Sequence, residues 1–189
     1  MIAWRRSDES EGYSAGRIER VADGWLARAH EVVVSGPDRG ACAYTVRLDP
    51  GWRTTTVHAE TVSALGLRSL DLRADEDRRW WRDGEHVPEL DGCIDVDVAA
   101  APFTNTFPIR RLVGLGEGEA ATFPVAWVDV PSLELERDEQ TYRRLGPVRD
   151  DQLAVEAWEY GDPRHGTFRL TVDEDGLVVD YGGLATRIR

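Results

Sequence analysis

Alternation of apolar with polar residues, cut at short and regular intervals by turn-forming clusters, is what most limits the folds open to this chain. Ala41-Cys42-Ala43-Tyr44-Thr45-Val46-Arg47-Leu48 and Leu67-Arg68-Ser69-Leu70-Asp71-Leu72-Arg73 both run with a period of two, as half-buried strands do. Between such runs stand Ala22-Asp23-Gly24, Ser35-Gly36-Pro37-Asp38, Asp49-Pro50-Gly51, Arg82-Asp83-Gly84 and Gly161-Asp162-Pro163, each a turn signal. The pattern predicts an all-β roll, barrel or sandwich. No linker or shift of composition divides residues 1–189, so a single domain is expected. Helix signals are few. In Pro108-Ile109-Arg110-Arg111-Leu112-Val113-Gly114, Ile109, Leu112 and Val113 make an apolar stripe, with Pro108 at the first helical position and Gly114 just past the end. A second candidate, Asp138 to Leu145, lacks a comparable stripe. Leu72-Arg73-Ala74-Asp75-Glu76-Asp77 and Leu170-Thr171-Val172-Asp173-Glu174-Asp175 form a faint repeat. Asp173 to Gly176 lacks the later ligands of a calcium loop and reads as a tight acidic hairpin turn.

Charge removes some classes of function. The formal net charge is -12, which argues against a nucleic-acid binder, since such a surface must replace counterions. It also disfavours an anionic bilayer surface. No window is long and apolar enough for a membrane span. The charged N-terminus lacks a secretory signal, and the expectation is a soluble, cytoplasmic protein. Cys42 and Cys93 fit that compartment as buried thiols and are too few for a metal cluster. All 23 basic residues are arginine, which reflects codon bias except where a particular guanidinium fork holds a carboxylate or a hydroxyl.

The densest chemistry lies in Gly92 to Arg111, "GCIDVDVAAAPFTNTFPIRR". Asp91, Cys93, Asp95 and Asp97 are spaced by two and share one face of a strand, with Ile94, Val96 and Val98 on the other. Acids that are buried need cations or donors, and Arg110 and Arg111 follow closely enough to supply bidentate pairs. An acid/base pair of Asp95 and Asp97 is compatible with a same-face spacing of about 6.5–7 Å. A metal site from Cys93, Asp95, Asp97 and His86 would mix soft and hard ligands without a recognised spacing, so no metal or cofactor is expected. There is no G-x-S-x-G elbow. The histidines, His30, His58, His86 and His165, are scattered in strand and turn contexts. Thr104-Asn105-Thr106 either fixes an irregular turn into the helix or offers Asn105 to ligand hydroxyls, and the turn is the favoured reading.

These pieces, taken in order, resemble a known family. They are Tyr44-Thr45-Val46 with Asp49 and Trp52, Trp81-Arg82-Asp83-Gly84, Leu90 to Asp97, Pro102 to Arg111, Gln140-Thr141-Tyr142, and Val172-Asp173 with Gly176 to Tyr181. The chain is similar across nearly its whole length to the bacterial glycolipid-binding proteins of the spiral β-roll fold, formerly a domain of unknown function. The resemblance implies a long antiparallel sheet rolled around a single short helix, and a homodimer. Through a likeness of fold to bacterial lipoprotein carriers, it also implies a glycolipid or other amphiphile as ligand. The acidic charge and the insertion-like Glu117-Gly118-Glu119-Ala120 turn depart from the family's pattern, and the charge disfavours an anionic head group.

An amphiphile site needs an apolar wall and a few convergent polar groups. Seven tryptophans supply apolar faces, and adjacent Trp80 and Trp81 must point to opposite faces. The expectation is a non-enzymatic binder. Arg110, Arg111, Asn105, Asp95 and Asp97 make its polar contacts, and Trp81 and Tyr142 give stacking surface. Two alternatives stand beside it: a hydrolase using Asp95 and Asp97 in a polar cleft, and a purely structural dimeric interaction protein.

Overall fold

The computed structural model describes residues 1–7, 11–34, 39–99, 101–149 and 154–188; the turn expected at Ser35 to Asp38 lies outside them. The strands in chain order are β1 (Ile2–Arg6), β2 (Gly12–Val21), β3 (Gly24–Val33), β4 (Gly40–Leu48), β5 (Thr54–Ser63), β6 (Gly66–Ala74), β7 (Trp80–Arg82) and β8 (Glu85–His86). Then come β9 (Asp95–Val98), a single short helix α1 (Thr106–Arg111), β10 (Ala120–Val128) and β11 (Leu135–Arg149). The chain ends with β12 (Ala154–Asp162), β13 (Gly166–Val172), β14 (Val178–Tyr181) and β15 (Ala185–Ile188). The protein is mainly β, as the alternation requires.

One sheet holds all of these strands. Hairpin neighbours run from β8 back to β1, β1 pairs with β15, and hairpin neighbours then run from β15 back to β10. The first and last strands therefore meet in the middle of the sheet, and its two edges, β8 and β9, are consecutive in the chain. Residues 87–94, with the 3-10 turn Pro88–Leu90, lie between those edges. Every pairing among the described residues is antiparallel except β9 with β10. The sheet stays open, but it curls until β9 lies against β5. There the Thr54 N–H donates to the Ile94 carbonyl at 3.2 Å, and the Val96 N–H donates to the Thr54 hydroxyl at 3.1 Å.

The curl gives the sheet an inside and an outside. On β3, Ala27, Ala29, Glu31 and Val33 point in, whereas Arg28, His30 and Val32 point out. The buried apolar residues form a larger cluster that includes Trp4, Tyr44, Val96, Phe103 and Phe107, and a smaller one that includes Ile109, Phe123, Tyr142, Trp158 and Tyr181. The helix is the wedge between them, giving Phe107 to one and Ile109 to the other.

The helix is displaced from its expected bounds. Thr104 and Asn105 belong to a 3-10 turn, Pro102–Asn105, and the α-turn starts at Thr106. Pro108 is thus its third residue, still inside the first turn, where a missing N–H costs nothing. The Leu112 N–H closes the end on the Pro108 carbonyl at 2.9 Å. Val113 is exposed rather than part of the apolar stripe. The second helix expected at Asp138 to Leu145 is instead part of β11. Asp138, Gln140 and Tyr142 point inward there while Glu139 and Arg143 point out. Polar side chains at two inward positions hid the period of two.

The faint repeat is a repeat of turn geometry. In Asp75–Arg79 the Asp N–H donates to the carbonyl of the fifth residue at 3.0 Å, and the fourth N–H donates to the Asp carbonyl at 3.0 Å. The fifth N–H donates to the Asp carboxylate at 2.9 Å. Asp173–Leu177 makes the same three bonds, and so does Asp49–Arg53, which identity alone did not reveal. The fourth residue takes a positive φ each time: Trp52 at 66°, Arg78 at 60° and Gly176 at 72°. At two of the three positions a large L-residue pays the conformational cost of that region.

Candidate ligand site

Inside the curl, β3, β9, β12, β13 and the turns around them enclose a cleft of about 390 Å³. That lies within the range of small-molecule sites. Its floor is an aromatic row laid across neighbouring strands. The Tyr142 and Tyr160 rings are 5.3 Å apart, Tyr160 and Tyr181 6.0 Å, and Phe168 and Tyr181 5.4 Å. Tyr160, Phe168 and Tyr181 face the cleft. Its apolar walls include Val33, Val98, Ala101, Val130 and Leu184, with Trp127 at one side. Four carboxyls also line it, those of Glu31, Asp97, Asp129 and Asp162, together with Asn105, Arg6 and His165.

Asp97 sits at the centre of a hydrogen-bonded network drawn from the 3-10 turn, β11 and β12. The Thr104 hydroxyl donates to one carboxylate oxygen at 2.7 Å, and the Gln140 amide donates to the other at 2.6 Å. The same amide donates to the Tyr160 hydroxyl at 3.1 Å, which donates to Asp162 at 2.7 Å. The Tyr142 hydroxyl donates to Asn105 Oδ1 at 2.9 Å. Burial pushes the Asp97 carboxyl up to about 6; Thr104 and Gln140 work against this, while the charges of Asp162 and Asp138 add to it. Glu31 is pushed up to about 8, again by burial first, with the hydroxyls of Tyr44 and Ser14 and the charge of Arg6 offsetting part of it. Burial also works to raise Asp162, but the Tyr160 hydroxyl and the backbone N–H groups of His165 and Arg164 outweigh it and hold that carboxyl low. A single cleft thus carries one carboxyl held ionised and two poised near neutrality.

The residues singled out in the sequence fall into three places. Asp97 and Asn105 line the cleft, and Tyr142 stands behind them, fully buried, with its hydroxyl on Asn105. Asp95 and Arg111 pair with each other away from the cleft. The guanidinium lies 4.3 Å over the Phe123 ring, and Asp95 Oδ1 and Arg111 Nε have no hydrogen-bond partner. Burial raises the Asp95 carboxyl despite Arg111. Arg110 and Trp81 lie in other grooves. Arg110 sits 5.1 Å over Trp52 and donates to the Glu174 carbonyl at 3.3 Å. Trp81 is on the outer face under Arg73, at 4.6 Å, while its neighbour Trp80 is buried, on the opposite face as expected. Asp91 is in a turn rather than on the strand, where it accepts from the Trp80 N–H at 3.0 Å.

Several residues of the site were not singled out in the sequence, among them Glu31, Asp162, His165 and Gln140. Glu31 was readable in principle, because it is an acid at an inward position of β3. Asp162 and His165 looked like an ordinary turn, and Gln140 was hidden in the misread helix. Both cysteines are buried thiols. Among the described residues no three His, Cys, Asp or Glu side chains are arranged to hold a metal ion. No helix among them is long and apolar enough to cross a membrane.

Fold and site together define a class: an open β-roll around one helical turn, with an acidic, aromatic-floored cleft inside. The chain belongs to the family described as "Putative glycolipid-binding", whose family model matches residues 1–187. It is similar to a DUF1089 family protein from Pseudomonas aeruginosa, solved by crystallography at 1.80 Å. The two are 33% identical with a TM-score of 0.75, over 93% of this chain and 92% of that one. No functionally curated protein matches the chain.

Proposed function

We propose that this protein is a non-enzymatic binder of glycosylated amphiphiles, with the sugar head group in the interior cleft. The observation that carries this reading is the meeting of carboxylates with an aromatic row in one cavity. Carboxylate oxygens accept hydrogen bonds from sugar hydroxyls, and aromatic rings cover the apolar face of a sugar ring. Asn105 adds a donor, since its amide reaches only the Pro102 carbonyl at 3.5 Å, the limit of a hydrogen bond. The 390 Å³ cleft has the volume of about thirteen liquid waters at roughly 30 Å³ each. That suits one sugar ring and leaves an acyl chain to the apolar rim of Val33, Val130 and Leu184. Asp97, Asn105, Glu31 and Asp162 are the polar contacts in this reading. Arg111 and Asp95 hold the helix to β9, and Arg110 and Trp81 lie apart from the ligand.

Native mass spectrometry of freshly purified protein, with octyl β-glucoside added below its micellar concentration, tests the reading. A co-purifying amphiphile, or a stoichiometric adduct lost in an Asp97→Asn, Phe168→Ala double variant, is expected. A bare chain that takes up no glycoside overturns it and favours the purely structural alternative.

The family resemblance extends the proposal to a homodimer. What supports it is a row of outward residues that are cross-strand neighbours from β2 to β6: Tyr13, Val32, Ala41, Val62 and Leu67. Four of these are large apolar side chains left exposed. A Val62→Glu variant is expected to shift the solution mass from dimer to monomer; a monomeric wild type contradicts the proposal.

A second reading, hydrolysis of a glycosidic bond, has one observation in its favour: Asp97 and Glu31 are both raised and both line the cleft. It moves the acid/base pair from Asp95/Asp97 to Asp97/Glu31. Release of nitrophenol from nitrophenyl glycosides, abolished by Glu31→Gln, would establish it.

A further inference from the structure

The proposal that the cleft holds a sugar head group leaves open which head groups it takes, and the charge of its lining narrows them. Glu31, Asp97, Asp129 and Asp162 stand against Arg6 and His165. The donors that hold these acids in place are mostly neutral. Asp97 is held by a hydroxyl and an amide, Asp129 by the Ser132 hydroxyl, and Glu31 by the Tyr44 hydroxyl at 3.2 Å. Asp162 takes the Tyr160 hydroxyl and the N–H groups of Arg164 and His165, with the His165 ring at 3.0 Å.

Neutral donors orient a carboxylate without cancelling its charge. Glu31 keeps its proton at neutral pH, and the ionised Asp97 and Asp162 leave the field in the cleft negative. Elsewhere the protein neutralises inward acids with arginine, as at Asp95 with Arg111 and Asp173 with Arg187. Asp97 lines the cavity from β9. A buried acid facing a cavity raises the affinity of a cation that enters, and the same acid repels a phosphate that must shed its water there.

We propose that the cleft selects head groups carrying an ammonium, as an amino sugar does, and rejects phosphorylated or carboxylated ones. Asp97 is the residue that sets this specificity. Phe168 and Tyr181 line the same cleft, and a ring stacked on them would present its substituents to Asp97. The inference rests on the sugar-binding reading above and deepens it.

Three octyl glycosides that differ only in the head group test it by titration calorimetry at neutral pH. They are octyl β-glucoside, the same glycoside with a trimethylammonium group at the 2-position, and its 6-phosphate. The permanent cation keeps ligand titration out of the comparison. The ammonium glycoside is expected to bind about tenfold or more tightly than the neutral one, and the phosphate to bind more weakly than either. Asp97→Asn should weaken the ammonium glycoside by a larger factor than the neutral one, with a wild-type far-ultraviolet circular dichroism spectrum showing that the variant folds. An equal loss for both would overturn the assignment to Asp97. Equal affinities, or a preference for the phosphate, overturn the charge selection and leave sugar binding intact. If none of the three binds, the sugar-binding reading itself falls.

Discussion

Glu31 stands on β3 with its carboxyl turned into the roll. Tyr44 and Cys42 of β4, Ser14 of β2 and Arg6 of β1 are the groups that face it. Its ordinary value of 4.5 is raised to about 8, so between those limits the folded chain holds a proton that the unfolded chain has released. Stability therefore falls as pH rises through that window, and Asp97, raised to about 6, adds in the same direction. The cost at high pH is on the order of a few kcal/mol. Glu31→Gln keeps the Tyr44 contact and removes the titration. Its thermal midpoint should match the wild type near pH 5 and exceed it near pH 9; the same difference at both values would contradict the assignment. Arg78 is the second residue on which the interior depends. Its guanidinium donates to the carbonyls of Cys93, Thr54 and Ile94 at 3.0, 2.7 and 2.7 Å, and so pins the approach to β9 onto β5. Lysine cannot reach three carbonyls in that fork. Arg78→Lys should cost about 3 kcal/mol in denaturant unfolding.

At the scale of elements, the 3-10 turn and helix are held in place by close contacts that only a glycine permits. A Cβ on Gly16 of β2 would sit 3.0 Å from the Phe103 ring, and Phe103 is fully buried beside Trp4, at 5.9 Å, and Phe107, also at 5.9 Å. Gly16→Val should push the ring away and destabilise the fold by about 1–3 kcal/mol, with a matching change in Trp4 fluorescence. An unchanged midpoint would mean that β2 and the turn are not in contact. These contacts bear on what the sequence could tell. Strands with apolar inward faces, such as β4 and β6, were readable from alternation alone. β11 was not, because two of its inward side chains, Asp138 and Gln140, are polar, and Gln140 is spent on holding Asp97 at the cleft. The Thr104-Asn105-Thr106 turn was anticipated correctly, but its second use, orienting Asp97 and facing the cavity, depends on residues distant in sequence. Bidentate pairing of the acids with Arg110 or Arg111 was anticipated; the structure pairs Arg111 with Asp95 through one nitrogen and one oxygen, leaving Arg111 Nε and Asp95 Oδ1 without partners. The sequence had no way to show that this pair seals the helix to β9 while Asp97, two residues on, faces open space.

For the molecule as a whole, the sheet is sealed by its own termini. β1 pairs with β15 between the two halves, and the buried Trp4 indole donates to the Val178 carbonyl at 2.8 Å. Arg187 of β15 ties the same region to Asp173 at 2.8 Å and to the Leu177 carbonyl at 2.6 Å. Removing residues 185–189 should therefore abolish cooperative unfolding rather than shave the edge of the sheet. Retention of a single sharp transition would show that the two halves hold together without the seam. The same closure creates the cleft, which takes Glu31 from one half and Asp97 and Asp162 from the other. The central claim is that a sugar head group occupies this cleft, and nuclear magnetic resonance mapping with octyl β-glucoside tests it most directly. Saturable shifts at Asn105, Phe168 and Tyr181, with Trp81 and Trp52 unmoved, are the predicted result; shifts confined to Trp81 or Trp52, or none at all, would contradict it.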